Sequence, residues 1–337
     1  MPDEYVKIEE NYLLEIQSYL KKFTEYLYPA PYETMRDIFF FHLGLNDPLE
    51  KQGKRIRPLL TLISAAGAGV KENRALPAAS AIELIHNFSL IHDDIEDNGT
   101  QRRGKPSVWK KWGLAQGLNA GDAMFNAAFM VMGELKKSFS TEIQQEAVSL
   151  LSETCSALTK GQYLDISFEQ VANVSIDSYF EMIKGKTAAL LACSVEMGAV
   201  MAGLGEEQRH FYRAFGNNLG IAFQIYDDWL GIWGDETETG KSTISDLVEK
   251  KRSYPVLLGL QTNVNFKERF LLEEKIDVAV AKDLAMLLEN AGVEETLIKT
   301  CKDWTDKALA SLEKMHCEDA SKRHLEFITN KLLMRKR

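Results

Sequence analysis

Apolar residues recur three or four positions apart along almost the whole chain. Between residues 79 and 92, Ala81, Leu84, Ile85, Phe88 and Ile91 fall on one face of a helix. The same spacing predicts helices over 5–28, 32–45, 55–70, 79–97, 114–138, 141–160, 175–203, 206–232, 245–262, 280–291, 294–314 and 316–335. No run alternates in the manner of a strand. Eight prolines are too few to interrupt this pattern often, and no Ser/Gly-rich linker or internal repeat divides it. The expectation is a single all-α domain over 1–337, built from about ten or more helices.

Charged positions break the pattern at two places. An apolar helix over 79–97 runs straight into Asp93, Asp94, Glu96 and Asp97. Asp93 and Asp97 are one turn apart and share a face, with Asp94 close by. Facing an apolar cavity, such a set is costly unless a cation neutralises it. Hard carboxylate oxygens suit Mg²⁺, which takes one or two of them and completes its shell with water and phosphate. The layout repeats at 219–235, LGIAFQIYDDWLGIWGD, where a second apolar helix runs into Asp227 and Asp228, with Asp235 beyond. Two such sets on facing helices would hold several divalent ions around a strongly anionic ligand. No Glu-x-x-His motif accompanies the second set, so a di-iron site is not expected.

Cations bracket both sets. GKRIRP places Lys54, Arg55 and Arg57 at the start of an apolar helix, with Pro58 in its first turn. Arg102 and Arg103 follow the first acids. Lys186 opens KTAALLA, and Lys241, Lys250, Lys251 and Arg252 follow the second acids. As a set they read as diphosphate ligands, giving one anion site through metal and one through Lys and Arg alone. The segment GDETETGKS at 234–242 imitates a P-loop, but Asp235 stands where that loop needs glycine. Further acids and the absence of a preceding strand also exclude a nucleotide reading.

Composition and charge narrow the class further. A net charge of −9 argues against a nucleic-acid partner. Cys155, Cys193, Cys301 and Cys317 are scattered and form no CxxC, which reads as a reduced, cytoplasmic, non-metal pattern. The charged N-terminus has no signal-peptide core. The stretch 187–205, TAALLACSVEMGAVMAGLG, is long enough to span a membrane. Glu196 sits at its middle and small residues dominate, so it reads as a packed core helix, and no membrane span is expected.

GKRIRP, LIHDDIEDNGTQRRGKP, GQYLD, KGKTA, and FQIYDD followed by TGKS and a further Asp occur in that order. Together these motifs resemble the trans-isoprenyl diphosphate synthases of the polyprenyl synthetase family, short-chain and geranylgeranyl diphosphate synthase-like. The resemblance covers roughly residues 50–260, with outer helices on either side. It implies an isoprenoid synthase-type all-α bundle around a central cavity, a homodimer, and three Mg²⁺ ions. It also implies head-to-tail condensation of isopentenyl diphosphate with an allylic diphosphate. On this resemblance Asp93, Asp97 and Asp227 hold Mg²⁺ directly, and Asp94 and Asp228 act as support or as shared ligands. Arg102, Lys186 and Lys241 grip the allylic diphosphate. Lys54, Arg57, His86 and Arg103 hold isopentenyl diphosphate without metal. Thr187 and Gln224 bring oxygens near the carbon that becomes cationic, and Gln162, Asp165 and Lys251 match family positions without an assigned role. Position 231, often the last acid of the second motif, is glycine, and Asp235 is expected to replace it directly or through water.

The chemistry expected of these residues is cleavage of a C–O bond, which expels diphosphate from the allylic substrate as an allylic cation forms. Cations stabilise the leaving group in a site that excludes water. The isopentenyl double bond then attacks, and the departing diphosphate takes the proton. Ser89 lies one turn before Asp93 with Phe88 beside it. In the resembling family, bulk at these two places sets product length, which implies about C15 to C20 here, geranylgeranyl diphosphate favoured, with Phe88 as floor. Two rival readings are a terpene synthase on the same fold, which leaves Lys54, Arg57, His86 and Arg103 without a task, and a non-catalytic partner subunit of a prenyl synthase.

Overall fold

The computed structural model describes residues 2–169, 171, 173–234, 244–273 and 275–333. Helices dominate: Pro2–Leu27 (α1), Glu33–Leu43 (α2), Ile56–Gly67 (α3), Glu72–Glu96 (α4), Val108–Trp112 (α5), Leu114–Met132 (α6), Thr141–Glu169 (α7), Ile176–Ile183 (α8), Ala189–Met201 (α9) and Glu206–Trp233 (α10). Ser245–Val248 (α11), Tyr254–Thr262 (α12), Val264–Leu272 (α13), Val278–Asn290 (α14), Val293–Lys314 (α15) and Asp319–Leu333 (α16) follow. Among the described residues the only sheet is a two-residue ladder, Gln101–Arg102 (β1) with Lys105–Pro106 (β2). The all-α expectation therefore holds. By their contacts the described residues gather into two compact units, the first within 1–155, 193–212 and 315–327, and the second within 156–192, 213–314 and 328–333.

In the first unit α4 is buried on nearly all sides. Ala75, Ala78, Ala79, Ala81, Ile82, Leu84, Ile85 and Ile91 are all in the core, the pattern of a central rather than a surface helix. Fully burying Ile82, Leu84 and Ile85 contributes about 1.5–3 kcal/mol each. Close helix approach rests on small residues. A methyl group on Gly198 would lie 2.5 Å from the Ala65 amide nitrogen. Beyond α4 the chain reverses through Arg103 and Gly104, both at positive φ. That is the conformation a two-residue hairpin loop requires, and it folds Arg102 back over the end of the helix.

The second unit packs around Tyr179, Ile221, Ile225, Trp229, Tyr254, Phe266 and Phe270. Two sequence expectations change here. The single helix expected over 175–203 contains a π-helical segment, Lys184–Ala188, between α8 and α9. The helix expected over 245–262 is two helices. Lys250 lies at φ 54 after α11, and α12 starts afresh at Tyr254, after the extended Ser253, with Pro255 in its first turn. Proline lacks the amide hydrogen that an uninterrupted helix would need there.

Candidate active site

The first acid cluster stands at the negative end of a helix. α4 stops at Glu96, Asp97 follows as its cap, and no basic residue lies in the last turn. Aligned peptide dipoles disfavour each carboxylate there by about 0.3–1 kcal/mol unless a cation offsets it. Asp94 is buried and accepts a hydrogen bond from Arg102 Nε at 2.8 Å, and Arg102 Nη2 lies 3.5 Å from Asp93 Oδ2. Burial holds the Asp94 carboxyl above its usual range, against the pull of Arg102. Asp93 is half-buried and Asp97 exposed.

A separate basic set forms in the same unit around the start of α3. A guanidinium has no acceptor, so Arg57 Nη1 donates and His86 Nε2 accepts, at 3.3 Å. Burial, followed by the charges of Arg57, Arg103 and Arg102 and by His42, keeps His86 well below its ordinary range. His86 is therefore neutral at pH 7, with its proton on Nδ1. Burial brings Arg57 down to about 10, opposed by Glu83, so it stays charged. Arg103 lies over Gly53, where an added methyl carbon would sit 2.7 Å from Arg103 Nη2. A shallow recess is lined by His42, Gln52, Arg102 and Arg103, among other residues. Lys54 is exposed. Arg55, read from the sequence with these cations, is instead buried, donating to the Leu43 carbonyl at 2.9 Å.

In the second unit, Gly161 of α7 meets Gly185 of the π-helical segment. A methyl carbon on Gly161 would lie 2.6 Å from the Gly185 carbonyl carbon. This close approach sets Lys186 in an ion pair with Asp165. Next along the chain, Thr187 Oγ1 donates to Gln224 Oε1 at 2.7 Å, and Gln224 Nε2 donates to Asp228 Oδ1 at 2.9 Å. The other Asp228 oxygen accepts from the Tyr179 hydroxyl at 2.7 Å and the Tyr254 amide at 2.8 Å. Burial, and then the nearby Asp246 charge, raise Asp228 to about 7. Asp227 beside it is exposed. Gln162 is half-buried, and Lys251 pairs with Glu249 at 3.2 Å. Asp235 and Lys241 lie outside the described residues.

These residues suit magnesium. The donors are carboxylate oxygens only, and two of the acids end a helix that supplies no cation of its own. Among the described residues no three His, Cys, Asp or Glu side chains close into a cage. Mg²⁺ needs no such cage, since it takes one or two carboxylates and completes its octahedron with water and phosphate.

A Polyprenyl synthetase family model matches residues 44–288. The chain belongs to the polyprenyl synthetase family. The (2E,6E)-farnesyl diphosphate synthase of Mycobacterium tuberculosis is 41% identical over 227 residues, which are 66% of this chain and 62% of that protein's length. A short chain isoprenyl diphosphate synthase of Methanothermobacter thermautotrophicus is 33% identical over 91% of this chain and 95% of its own. The geranylgeranyl pyrophosphate synthetase structure from Pyrococcus horikoshii superposes with a TM-score of 0.87 at 31% identity, covering 98% of each chain. The chain thus shares the fold of that synthetase structure.

Sequence reading missed two residues of the second unit's acid site. Tyr179, fully buried on α8, is bonded to Asp228 across 49 positions, and nothing in its local sequence marks it. Asp246 fills the room beside Gly231, where an added methyl carbon would lie 2.6 Å from its carboxylate carbon. The Asp that follows TGKS in the motif order is the signal the sequence holds for it, whereas Asp235 was expected in that role.

Proposed function

We propose that this protein condenses isopentenyl diphosphate head-to-tail with an allylic diphosphate, in the presence of Mg²⁺, to give a short all-trans prenyl diphosphate. The observation that carries the reading is the basic set built apart from the acids: Arg57 braced on neutral His86, with Arg103 beside the same segment. A cyclase acting on one diphosphate has no use for it, which disfavours the terpene synthase reading. Survival of both acid sets disfavours a non-catalytic partner subunit.

On this reading Asp93, Asp97 and Asp227, the more accessible acids, hold the metal. Asp94 and Asp228, whose oxygens are taken by Arg102, Tyr179, Tyr254 and Gln224, hold their neighbours in place. Bound Mg²⁺, three ions by family resemblance, would stabilise negative charge on the leaving diphosphate. Arg102, Lys186 and Lys241 add cationic donors to the same anion. The Thr187 hydroxyl donates to Gln224, so its lone pairs remain available to an allylic cation. Lys54, Arg57, Arg103 and the Nδ1–H of His86 hold the second diphosphate, and the departing diphosphate accepts the proton released after attack. The protein works as a single catalytic domain, in the cytoplasm, without nucleic acid.

Product length is set by Phe88, whose ring meets Phe125 edge-on at 5.1 Å, and Phe125 in turn meets Phe129 at 5.2 Å. This aromatic stack between α4 and α6 favours products of farnesyl to geranylgeranyl length, geranylgeranyl diphosphate first. Ser89 turns its hydroxyl to the His86 carbonyl at 2.8 Å and adds little bulk. Leu114, Leu118 and Phe125 are exposed along one face of α6, and this face supports a homodimer.

The test is an incubation of pure protein with labelled isopentenyl diphosphate, Mg²⁺ and each of three allylic primers. Product requiring both diphosphates and the metal is expected. Turnover of the allylic diphosphate alone would instead make the protein a cyclase.

A further inference from the structure

Glu83 is a carboxylate in the wrong place for a core. It lies in the buried stretch of α4, 3% exposed, among Ala, Ile and Leu. A buried carboxylate persists only when paired. One oxygen accepts from Asn87 Nδ2 at 2.9 Å and lies 3.8 Å from Arg55 Nε. Its other oxygen has no partner, and neither do Arg55 Nη1, Arg57 Nε and Asn87 Oδ1 close to it in sequence and fold. Arg55 sits at φ 46, the left-handed conformation that side chains rarely adopt, immediately before α3. Its side chain is pinned between Glu83 and the Leu43 carbonyl. Lys54 and Arg57 flank this pinned residue. Arg57 rests on His86, three positions along α4 from Glu83. The carboxylate therefore holds the turn from which both cations project. Burial weakens the charged forms of Arg55, Arg57 and Arg103, and the charge of Glu83 opposes that in all three.

We propose that Glu83 is the positioning residue of the metal-free diphosphate site, fixing Lys54 and Arg57 through Arg55 without touching substrate. The inference rests on the functional reading above, and its sign separates it from simple charge. Removing a nearby negative charge should tighten binding of an anion if only the field matters. Loss of positioning should weaken it.

The test compares wild type with Glu83→Gln, which keeps size and the Asn87 contact. Calorimetry with inorganic pyrophosphate and no metal reads the site independently of turnover. Steady-state assays read KM for each substrate. Glu83→Gln is expected to weaken pyrophosphate about tenfold. KM for isopentenyl diphosphate should rise about as much, while KM for the allylic substrate and kcat stay within about threefold. Pyrophosphate binding that is unchanged or tighter would overturn the proposal, as would no binding by wild type. A second variant, Arg55→Met/Glu83→Met, removes both buried charges and restores apolar packing. It should fold yet keep the high KM; a normal KM would show that Glu83 only stabilises the fold. If wild type binds pyrophosphate and Glu83→Gln weakens it, but no condensation occurs, positioning stands and the enzymatic reading fails.

Discussion

Gly161→Ala tests the link from helix packing to chemistry. The added methyl carbon would lie 2.6 Å from the Gly185 carbonyl carbon and 2.8 Å from Lys186 Cα. The Lys186 amide nitrogen is nearer still, and ordinary contact begins at 3.4 Å, so α7 and the π-helical segment must part by more than the 0.8 Å that the Gly185 contact alone requires. Both neighbours are backbone and cannot swing aside as a side chain would. Overpacking of this kind costs about 1–3 kcal/mol. The displaced segment carries Lys186, paired with Asp165, and Thr187, bonded to Gln224. Misplacing catalytic groups by about 1 Å costs on the order of 100-fold in rate. Urea unfolding of the variant should show the stability loss, and kcat/KM for the allylic diphosphate should fall by about that factor. Gly133→Ala is the control. Its site is open, at φ −60 and ψ −22, and alanine there should raise stability by about 0.4–1 kcal/mol with activity unchanged. Wild-type stability and rate in Gly161→Ala would refute the idea that this glycine contact positions Lys186.

Four further outcomes follow from particular residues. Asp93→Asn removes a carboxylate charge from the end of α4, and turnover should be lost; near-normal turnover would end the metal assignment. Gly231→Ala forces a methyl group against the Asp246 carboxylate and should cost about 1–3 kcal/mol; an unaltered unfolding midpoint would mean that Asp246 does not occupy that room. His42 is pushed down to about 3 by burial and then by the charges of Arg103 and Arg102. The unfolded chain therefore binds a proton below pH 6.5 that the folded chain refuses, and stability falls as pH drops from 6.5 towards 3. Each such histidine contributes about 1.4 kcal/mol per pH unit, so His42→Gln should shrink the loss between pH 6.5 and 5 by about 2 kcal/mol, and an unchanged slope contradicts the burial argument. Phe88→Ala opens the stack against Phe125 and should lengthen the products, whereas an unchanged chain-length profile would remove Phe88 from that role.

Local periodicity made the helices and both acid clusters legible, because Asp93 and Asp227 each follow an apolar run of period 3.6. The roles within each cluster were not legible. Asp93 and Asp94 are adjacent and chemically identical in sequence, and only folding buries one against Arg102 and leaves the other more open. The π-helical segment is invisible to periodicity, since a run of five residues is too short to show a period of its own. The break before α12 was available in Pro255, and the hairpin after α4 in Gly104. Arg55 and Arg57 look alike in GKRIRP, yet one is buried against Glu83 and the other faces His86. Tyr179 and Asp246 reach Asp228 from distant segments, and single-sequence spacing carries no signal for that.

The most direct test is a crystal structure of the protein with Mg²⁺ and a non-hydrolysable allylic diphosphate analogue. Carboxylate oxygens of Asp93, Asp97 and Asp227 should lie about 2.0–2.1 Å from magnesium, with Asp94 and Asp228 outside that distance. Diphosphate bound with Asp227 far from any metal would contradict the account.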